Sequence, residues 1–446
     1  MARCSAGARH ERVALHSFHY RNGRLHCEEV DLATVAEEHG TPLYVYSAGT
    51  IVDHYRRLRE ALRELDPLIF YAVKANSNRA ILRLLRDEGA GFDIVSGGEL
   101  FRVLAAGGEA NRCTFAGVGK SREEIEFALA EGVFSFNIES EAELAYINRI
   151  AAAKNVCAPV ALRVNPDVES GTHKYVSTGA SENKFGIALE RVPGLYEAAA
   201  GMPNITLRGV QMHIGSQITK AEPFAEAIAK ITPTVRALKE RHKIEFLSIG
   251  GGMGITYQSS FASGGGDWWR DDAAGKCPLT IGDYAAAIVP PLRALGLRIF
   301  LEPGRLLVGN AGVLLTRVRY LKQAAQKKFV IVDAGMNDLI RPALYQSYHE
   351  IMPVRQSADG TREVVDVVGP VCESADFFAQ DRELPQLCEG DLAAIMSAGA
   401  YGFVMASNYN SRPLPAEVLV RGERFAVVRK RQTNADLIRG ESDPPF

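Results

Sequence analysis

Lys74 follows the apolar run LIFYAV (68–73) in the segment IFYAVKAN. An amine one residue beyond a buried strand is partly desolvated, which disfavours the ammonium, lowers the pKa and prepares a nucleophile for a carbonyl. The competing reading is a lysine whose head reaches out to solvent. Further on, IGGGMGI (249–255) places Gly250, Gly251 and Gly252 directly after another apolar run. Lacking side chains, such residues let backbone N–H groups approach an anion such as phosphate, although a tight turn would use the same residues. Glu302, in FLEPGR, offers a carboxylate that could pair with a protonated ring nitrogen and keep that ring electron-poor, or could instead bond to Arg305. His213 and Ser216, in HIGSQ, close a further run, and Asp93 and Ser96 close GFDIVS. A histidine there could stack on a ring, move a proton, or be structural.

These residues share a position, the C-terminal end of a short apolar run. There are eight such runs, LIFYAV (68–73), GFDIV (91–95), CTFAGV (113–118), VFSFNI (133–138), VALRVN (160–165), LRGVQMHI (207–214), FLSIG (246–250) and RIFLE (298–302). Each reads as a buried parallel strand. Helical periodicity fills the intervals, at 78–88, 121–131 and 140–153 among others. Eight strand–helix alternations predict a (β/α)8 TIM-like barrel, whose reactive groups collect at the C-terminal strand ends. An open doubly wound sheet is the rival, but the length of the region suits a closed barrel better.

Past Glu302, helical patterns thin out and strands dominate, at 311–323, 327–335, 361–370, 391–399, 415–422 and 424–430. They predict a second, mostly antiparallel β domain. FHYRNGRLHCEEVDL, with Asn-Gly at a turn, adds N-terminal strands to it. The expected layout is a mobile extension over 1–15, N-terminal strands over 16–46, the barrel over 47–305 and the β domain over 306–446. Residues 259–278, rich in Gly and holding Trp268 and Trp269, read as a surface loop after the seventh strand.

Composition excludes several classes. The 51 Lys and Arg nearly balance 53 Asp and Glu, so nothing favours nucleic acid or an anionic membrane. No apolar run reaches the roughly 20 residues a spanning helix needs. Seven scattered cysteines without a CxxC pair imply no zinc or dithiol motif and suit a reducing cytoplasm. The basic start, MARCSAGARHERV, lacks the apolar core of a secretory signal.

Taken together, YAVKAN (71–76), GFDIVSGGEL (91–100), HIGSQ (213–217), IGGGMGI (249–255), EPGR (302–305), DAGMNDLIRPALY (333–345), GPVCESAD (369–376) and AYGFVMASNYNSRPLPAEVLV (400–420) resemble the fold-type-III pyridoxal-phosphate decarboxylases, and within them the diaminopimelate decarboxylases. The likeness runs from about Phe18 to Glu423. It implies pyridoxal 5'-phosphate as cofactor, carried covalently on Lys74. His213 would stack on the ring, and Glu302 would face its nitrogen. Asp93, Ser216, Gly250, Gly251, Gly252 and the segment Glu302, Pro303, Gly304, Arg305 would complete the cofactor site with Tyr401. Arg305, Arg341, Tyr345 and Tyr401 would hold the substrate, with the distal carboxylate gripped by the first three. Glu373 would take the distal ammonium and Cys372 would give a proton to the substrate carbon.

The implied reaction is decarboxylation of meso-2,6-diaminopimelate to L-lysine, the last step of lysine biosynthesis by that route. The implied assembly is a homodimer in which the Cys372–Glu373 segment reaches into the other subunit's site. The charge pattern agrees, because a substrate with an amino-acid group at each end needs arginine forks for a carboxylate and an acid for an ammonium. Read alone, Arg341 could be a surface ion pair and Cys372 a small core residue. Ornithine- or arginine-type decarboxylases, an alanine racemase relative and a non-catalytic cofactor carrier are the rival readings.

Overall fold

The computed structural model describes residues 14–169, 184–265, 279–357 and 360–446. Strands β1 (Phe18–Arg21), β2 (Arg24–Cys27) and β3 (Val30–Asp31) form a small antiparallel sheet, and β4 (Leu43–Ser47) leaves it for the second domain. The barrel strands are β5 (Leu68–Ala72), β6 (Gly91–Ile94), β7 (Cys113–Phe115), β8 (Ser135–Ile138) and β9 (Ala158–Asn165), followed by β11 (Ile205–Met212), β12 (Phe246–Ser248) and β13 (Arg298–Leu301). Every neighbouring pair is parallel, and β13 pairs with β5 to close the ring. All eight apolar runs are therefore barrel strands. A two-residue strand, β10 (Ile187–Ala188), lies along the end of β9.

The loops after these strands lead into helices capped by the expected residue types. Asn78 accepts from the Ala80 N–H at the start of helix Arg79–Asp87, and Ser96 accepts from the Glu99 N–H of helix Gly97–Ala105. Ser121 and Glu124 form a reciprocal capping box on helix Arg122–Glu131. Ser96, noted above for chemistry, thus serves as a cap.

Inside the barrel, side chains two apart along a strand face the same way. The lower layer is aromatic: Phe70, Phe246 and Phe300 pack together with Phe134, with Phe246 and Phe300 ring centroids 4.4 Å apart. Glycines make room for it. A Cβ on Gly91 would lie 2.5 Å from the Phe70 ring, and one on Gly209 would lie 2.8 Å from the Phe246 ring. Two residues further along each strand the layer turns polar, with Asp93, Asn137, Arg163, Gln211, Ser248 and Glu302, all buried. The aromatic floor seals the barrel, and the polar layer above it faces the C-terminal mouth.

The second domain holds β14 (Gly312–Gln323), β15 (Lys328–Val332), β16 (Ile351–Pro353), β17 (Arg362–Val368), β18 (Phe377–Pro385), β19 (Leu392–Ile395), β20 (Ala416–Arg421) and β21 (Arg424–Arg429). Its main path runs β18-β17-β15-β14-β4-β20-β21, with β19 also paired to β14 and β16 paired to β19. Most pairs are antiparallel, but β15 with β17 and β20 with β4 are parallel. The N-terminal contribution is central: β4 lies between β14 and β20 with all five residues buried. The sequence pattern overlooks β18, because FFAQDRELP carries three consecutive charged residues, Asp381, Arg382 and Glu383, and its register slips against β17.

Two expectations change. Ser260 and Ser263 are buried, and Ser260 O bonds His16 Nε2 at 2.8 Å, so 259–265 is packed against the N-terminal segment instead of lying in solvent. Leu15 is held by its N–H to Ser263 O at 2.7 Å and by His54 on its carbonyl at 2.6 Å. Residues 1–13 of the extension and 266–278, including Trp268 and Trp269, lie outside the described residues.

Candidate active site

Lys74 sits in the short turn Val73–Ala75 at the end of β5, and its Nζ lies 3.0 Å from Asp93 Oδ2. The amine is turned inward, not out to solvent, although 39% of its side chain stays accessible. Its pKa is raised, opposite to the expectation. Burial does oppose the charge, but the Asp93 carboxylate, aided by Tyr401 and Glu302, outweighs it. Position alone could not reveal this, because the counter-charge comes from the neighbouring strand.

Glu302 crowns β13. It accepts from Ser248 Oγ at 2.7 Å and Gln211 Nε2 at 2.8 Å, and no ion pair to Arg305 occurs among the described residues. Burial pushes its carboxyl up to about 7, with Asp93 adding repulsion and the two hydrogen bonds resisting. The carboxyl thus titrates at 4.5 when unfolded and near 7 when folded. The folded chain binds the extra proton between these values, so stability linked to Glu302 is full below pH 4.5 and is lost as pH rises through about 7. Glu302→Gln escapes that loss. In cofactor-free protein it is expected to exceed wild type at pH 8 by on the order of 2 kcal/mol. The gain should vanish near pH 4.5. Urea unfolding at both pH values checks this, and an equal difference at both would rule out titration as its source.

His213 Nδ1 accepts from the Gly251 N–H at 3.3 Å, which puts any single ring proton on Nε2. Burial, then the cations Arg163 and Lys74, hold its pKa well below the usual histidine value, so it is a neutral ring at pH 7. The three glycines are required by close approach. A Cβ on Gly251 would stand 2.2 Å from Glu302 O, and one on Gly252, at φ +104°, 2.4 Å from Gly215 O. Gly304 lets the Glu302–Arg305 turn press on the Lys74 turn, since its Cβ would meet Ala75 Cβ at 2.9 Å. The N–H of Ala72 bonds Pro303 O at 3.0 Å and ties the same two segments.

Arg305 and Arg341 are both buried. Arg305 donates to Ser216 Oγ at 2.9 Å and to the Tyr257 hydroxyl, and its guanidinium lies 4.8 Å from the Tyr401 ring centre. Arg341 opens the short helix Arg341–Tyr345, lies 4.7 Å from the Tyr257 ring centre and donates to His349 Nε2 at 2.9 Å. His349 can accept there because its Nδ1 donates to Met396 O at 2.8 Å. Arg341 is therefore no surface ion pair. Tyr257 stands between two guanidinium groups. Burial raises its pKa, but Arg305 and Arg341 outweigh that and lower it. The backbone N–H of Tyr401, at φ +56°, bonds Ala75 O at 2.8 Å and joins this cluster to the Lys74 turn. Tyr345 is half-buried at the far end of the Arg341 helix.

Cys372 and Glu373 do not join this group. Both are exposed on the loop between β17 and β18. The Cys372 N–H bonds Asn410 Oδ1 at 2.7 Å, and Glu373 Oε1 accepts from the Ser374 N–H at 2.9 Å. Cys372 is thus not a core residue either.

Sequence reasoning missed Tyr257, His349, Gln211, Ser248, Asn137 and Arg163. The last four had a signal: each is polar, at a barrel-facing position of an otherwise apolar run, and Gln211 and Ser248 stand two residues before His213 and Gly250. Tyr257 and His349 had none, because only the tertiary fold brings them to the arginines.

The polar layer fits a phosphorylated pyridine aldehyde. Asp93 Oδ1, Gln211 Oε1, the Asn137 amide and the Nε atoms of Arg163 and Arg305 are buried without a partner from the chain. Left bare, such groups cost about 1–3 kcal/mol each, so they suit a polar occupant. An inward amine on Lys74, a buried carboxyl on Glu302 and a side-chain-free turn at Gly250–Gly252 match the aldehyde, ring nitrogen and phosphate of such a group.

Comparison with known proteins agrees. Residues 48–309 match the family model of the pyridoxal binding domain of pyridoxal-dependent decarboxylases. A diaminopimelate decarboxylase of Pseudomonas fluorescens is 50% identical over 432 residues, 96% of this chain and 99% of that protein. The crystal structure of diaminopimelate decarboxylase from M. jannaschii in co-complex with L-lysine superposes with TM-score 0.89 at 38% identity, covering 97% of this chain and 99% of that one. A lysine/ornithine decarboxylase from Vibrio vulnificus, complexed with putrescine, shares the fold at TM-score 0.74 and 23% identity, over 88% of this chain and 97% of that one.

Proposed function

The chain belongs to the diaminopimelate decarboxylases of the pyridoxal-dependent decarboxylase family, and from that premise we propose how its residues divide the work of converting meso-2,6-diaminopimelate to L-lysine and carbon dioxide. The observation that carries the assignment of roles is the pair of buried guanidinium groups, Arg305 and Arg341, linked through Tyr401 to the Lys74 turn. Two cations held out of water beside the turn that carries a reactive amine suit a substrate with a second carboxylate.

When bound, pyridoxal phosphate supplies an electron-poor ring that accepts the electron pair released with carbon dioxide. Lys74 would hold it covalently, and Asp93, 3.0 Å from Nζ, keeps that amine in place. Glu302 would pair with the ring nitrogen and favour its protonated form, held for that by Ser248 and Gln211. His213, neutral, offers its ring face. Ser216, Gly250, Gly251, Gly252 and the Glu302–Pro303–Gly304–Arg305 turn would receive the phosphate. Arg305, Arg341 and Tyr345 take the distal carboxylate, with Tyr401 against both substrate and cofactor.

Cys372 and Glu373 complete the site from a second copy of the chain, so the working unit is a homodimer with shared active sites. Their exposure, and the absence among the described residues of a bond from either side chain to Lys74, Arg305 or Arg341, support this arrangement. From there Glu373 pairs with the distal ammonium, and Cys372 Sγ delivers the proton that replaces the lost carboxylate. The five described cysteines are free thiols, which supports a reducing, cytoplasmic setting. No described helix is long and apolar enough to cross a membrane.

The experiment is a product assay with both substrates. Diaminopimelate should yield lysine and carbon dioxide in equal amounts, with ornithine turned over negligibly. Arg341→Met should lower kcat/KM for diaminopimelate by about 10²–10³-fold, as expected when one partner of a buried charge pair is removed. Efficient turnover of ornithine with none of diaminopimelate would overturn the substrate assignment.

A further inference from the structure

The Lys74 turn is anchored from outside the barrel. Three groups of the β domain reach residues 75–78. The Tyr401 N–H bonds Ala75 O at 2.8 Å, Gly399 O accepts from Asn76 Nδ2 at 3.1 Å, and Glu417 Oε2 accepts from Asn78 Nδ2 at 2.9 Å. Asn76 Oδ1 in turn accepts from the Asn78 N–H at 3.1 Å, so the two asparagines form one braced unit behind Lys74.

Of the three anchors only Glu417 is a side chain. It is fully buried on β20, and besides Asn78 it accepts from the Tyr46 hydroxyl at 2.8 Å and from Arg429 Nε. A carboxylate can accept from all three donors. A glutamine of the same shape keeps the Asn78 and Arg429 bonds by turning its amide nitrogen to the Tyr46 hydroxyl, which can accept, so only an apolar replacement severs the link to Asn78. A buried acid is costly to keep, and a plain core contact on β20 would not need one.

We propose that Glu417 is a positioning residue for Lys74: through Asn78 it lets the β domain hold the lysine turn at the barrel mouth. The proposal rests on Lys74 being the cofactor lysine. Glu417 touches neither cofactor nor substrate. Its influence passes along the backbone from Asn78 to Lys74 and sets how closely the amine lies against Asp93.

Glu417→Leu, which has no acceptor for Asn78, tests this in two ways. In cofactor-free full-length protein, Lys74 is acylated with limiting acetic anhydride at fixed pH and read by peptide mass spectrometry, with exposed Lys322 as internal reference. A relaxed turn frees the amine from Asp93, and labelling should be about fivefold faster, since only the free amine reacts. In the loaded enzyme, kcat should fall about tenfold with KM changed less than twofold, as misplacement of a reacting group predicts. Asn78→Ser keeps the helix cap but cannot reach Glu417, so it should reproduce both effects, and it stands in if Glu417→Leu does not fold.

Lys74 labelling at the wild-type rate in these variants would overturn the proposal, even with a lowered melting temperature, because a purely structural role changes stability alone. An inactive wild type would instead reject the decarboxylase assignment, and the labelling result would still stand on its own.

Discussion

Lys74→Ala is expected to be colourless after incubation with pyridoxal phosphate and to lose about 10⁴-fold or more in kcat, because it removes the amine that stands against Asp93 at the barrel mouth. The fold should survive. The lysine leaves behind the buried Asp93 carboxylate, but its own side chain is 39% exposed, so water already screens the pair. A stability loss of about 1 kcal/mol is expected, smaller than for a fully enclosed pair. Visible absorption, a kinetic assay and circular dichroism on the same preparation test this together. A variant that still bound cofactor with the wild-type spectrum would mean that another amine carries it, and the assignment built on Lys74 would fall.

Cys372→Ala should lower kcat by about 10²–10⁴-fold, the range for losing a positioned proton donor, with cofactor absorption intact. The informative measurement is a mixture. Lys74→Ala and Cys372→Ala each spoil every site in their own homodimers. If Cys372 serves the other subunit, a mixed dimer has one site with both residues native and one with neither. Random exchange of equal amounts would then recover about a quarter of wild-type activity. Mixing under conditions where labelled subunits demonstrably exchange, with no recovery, would show that Cys372 acts on its own chain's site.

Much of this architecture was legible before any coordinates. The eight parallel strands follow from short apolar runs separated by helical periodicity, since both faces of a barrel strand are covered. The barrel-mouth residues were legible because a lysine, an acid or a glycine triplet at the end of such a run breaks an otherwise apolar pattern. Residues 259–265 misled for the opposite reason. A stretch rich in Gly and Ser looks solvated, yet Gly264 is where a Cβ would stand 2.5 Å from the His16 ring. Small residues there serve close packing.

What the chain by itself determined is the set of reactive groups and the elements that carry them, because strand period, cap residues and glycine requirements act over a few neighbouring positions. The direction of each group's chemistry was decided only in three dimensions. Lys74 was expected to have a lowered pKa and has a raised one, since Asp93 comes beside it when β5 pairs with β6. Arg305, Arg341, Tyr257 and His349 meet only because the β domain folds over the barrel mouth. Electrostatic energies sum over neighbours in space with a strength set by burial, and neither the neighbours nor the burial of a residue far along the chain is encoded in local pattern.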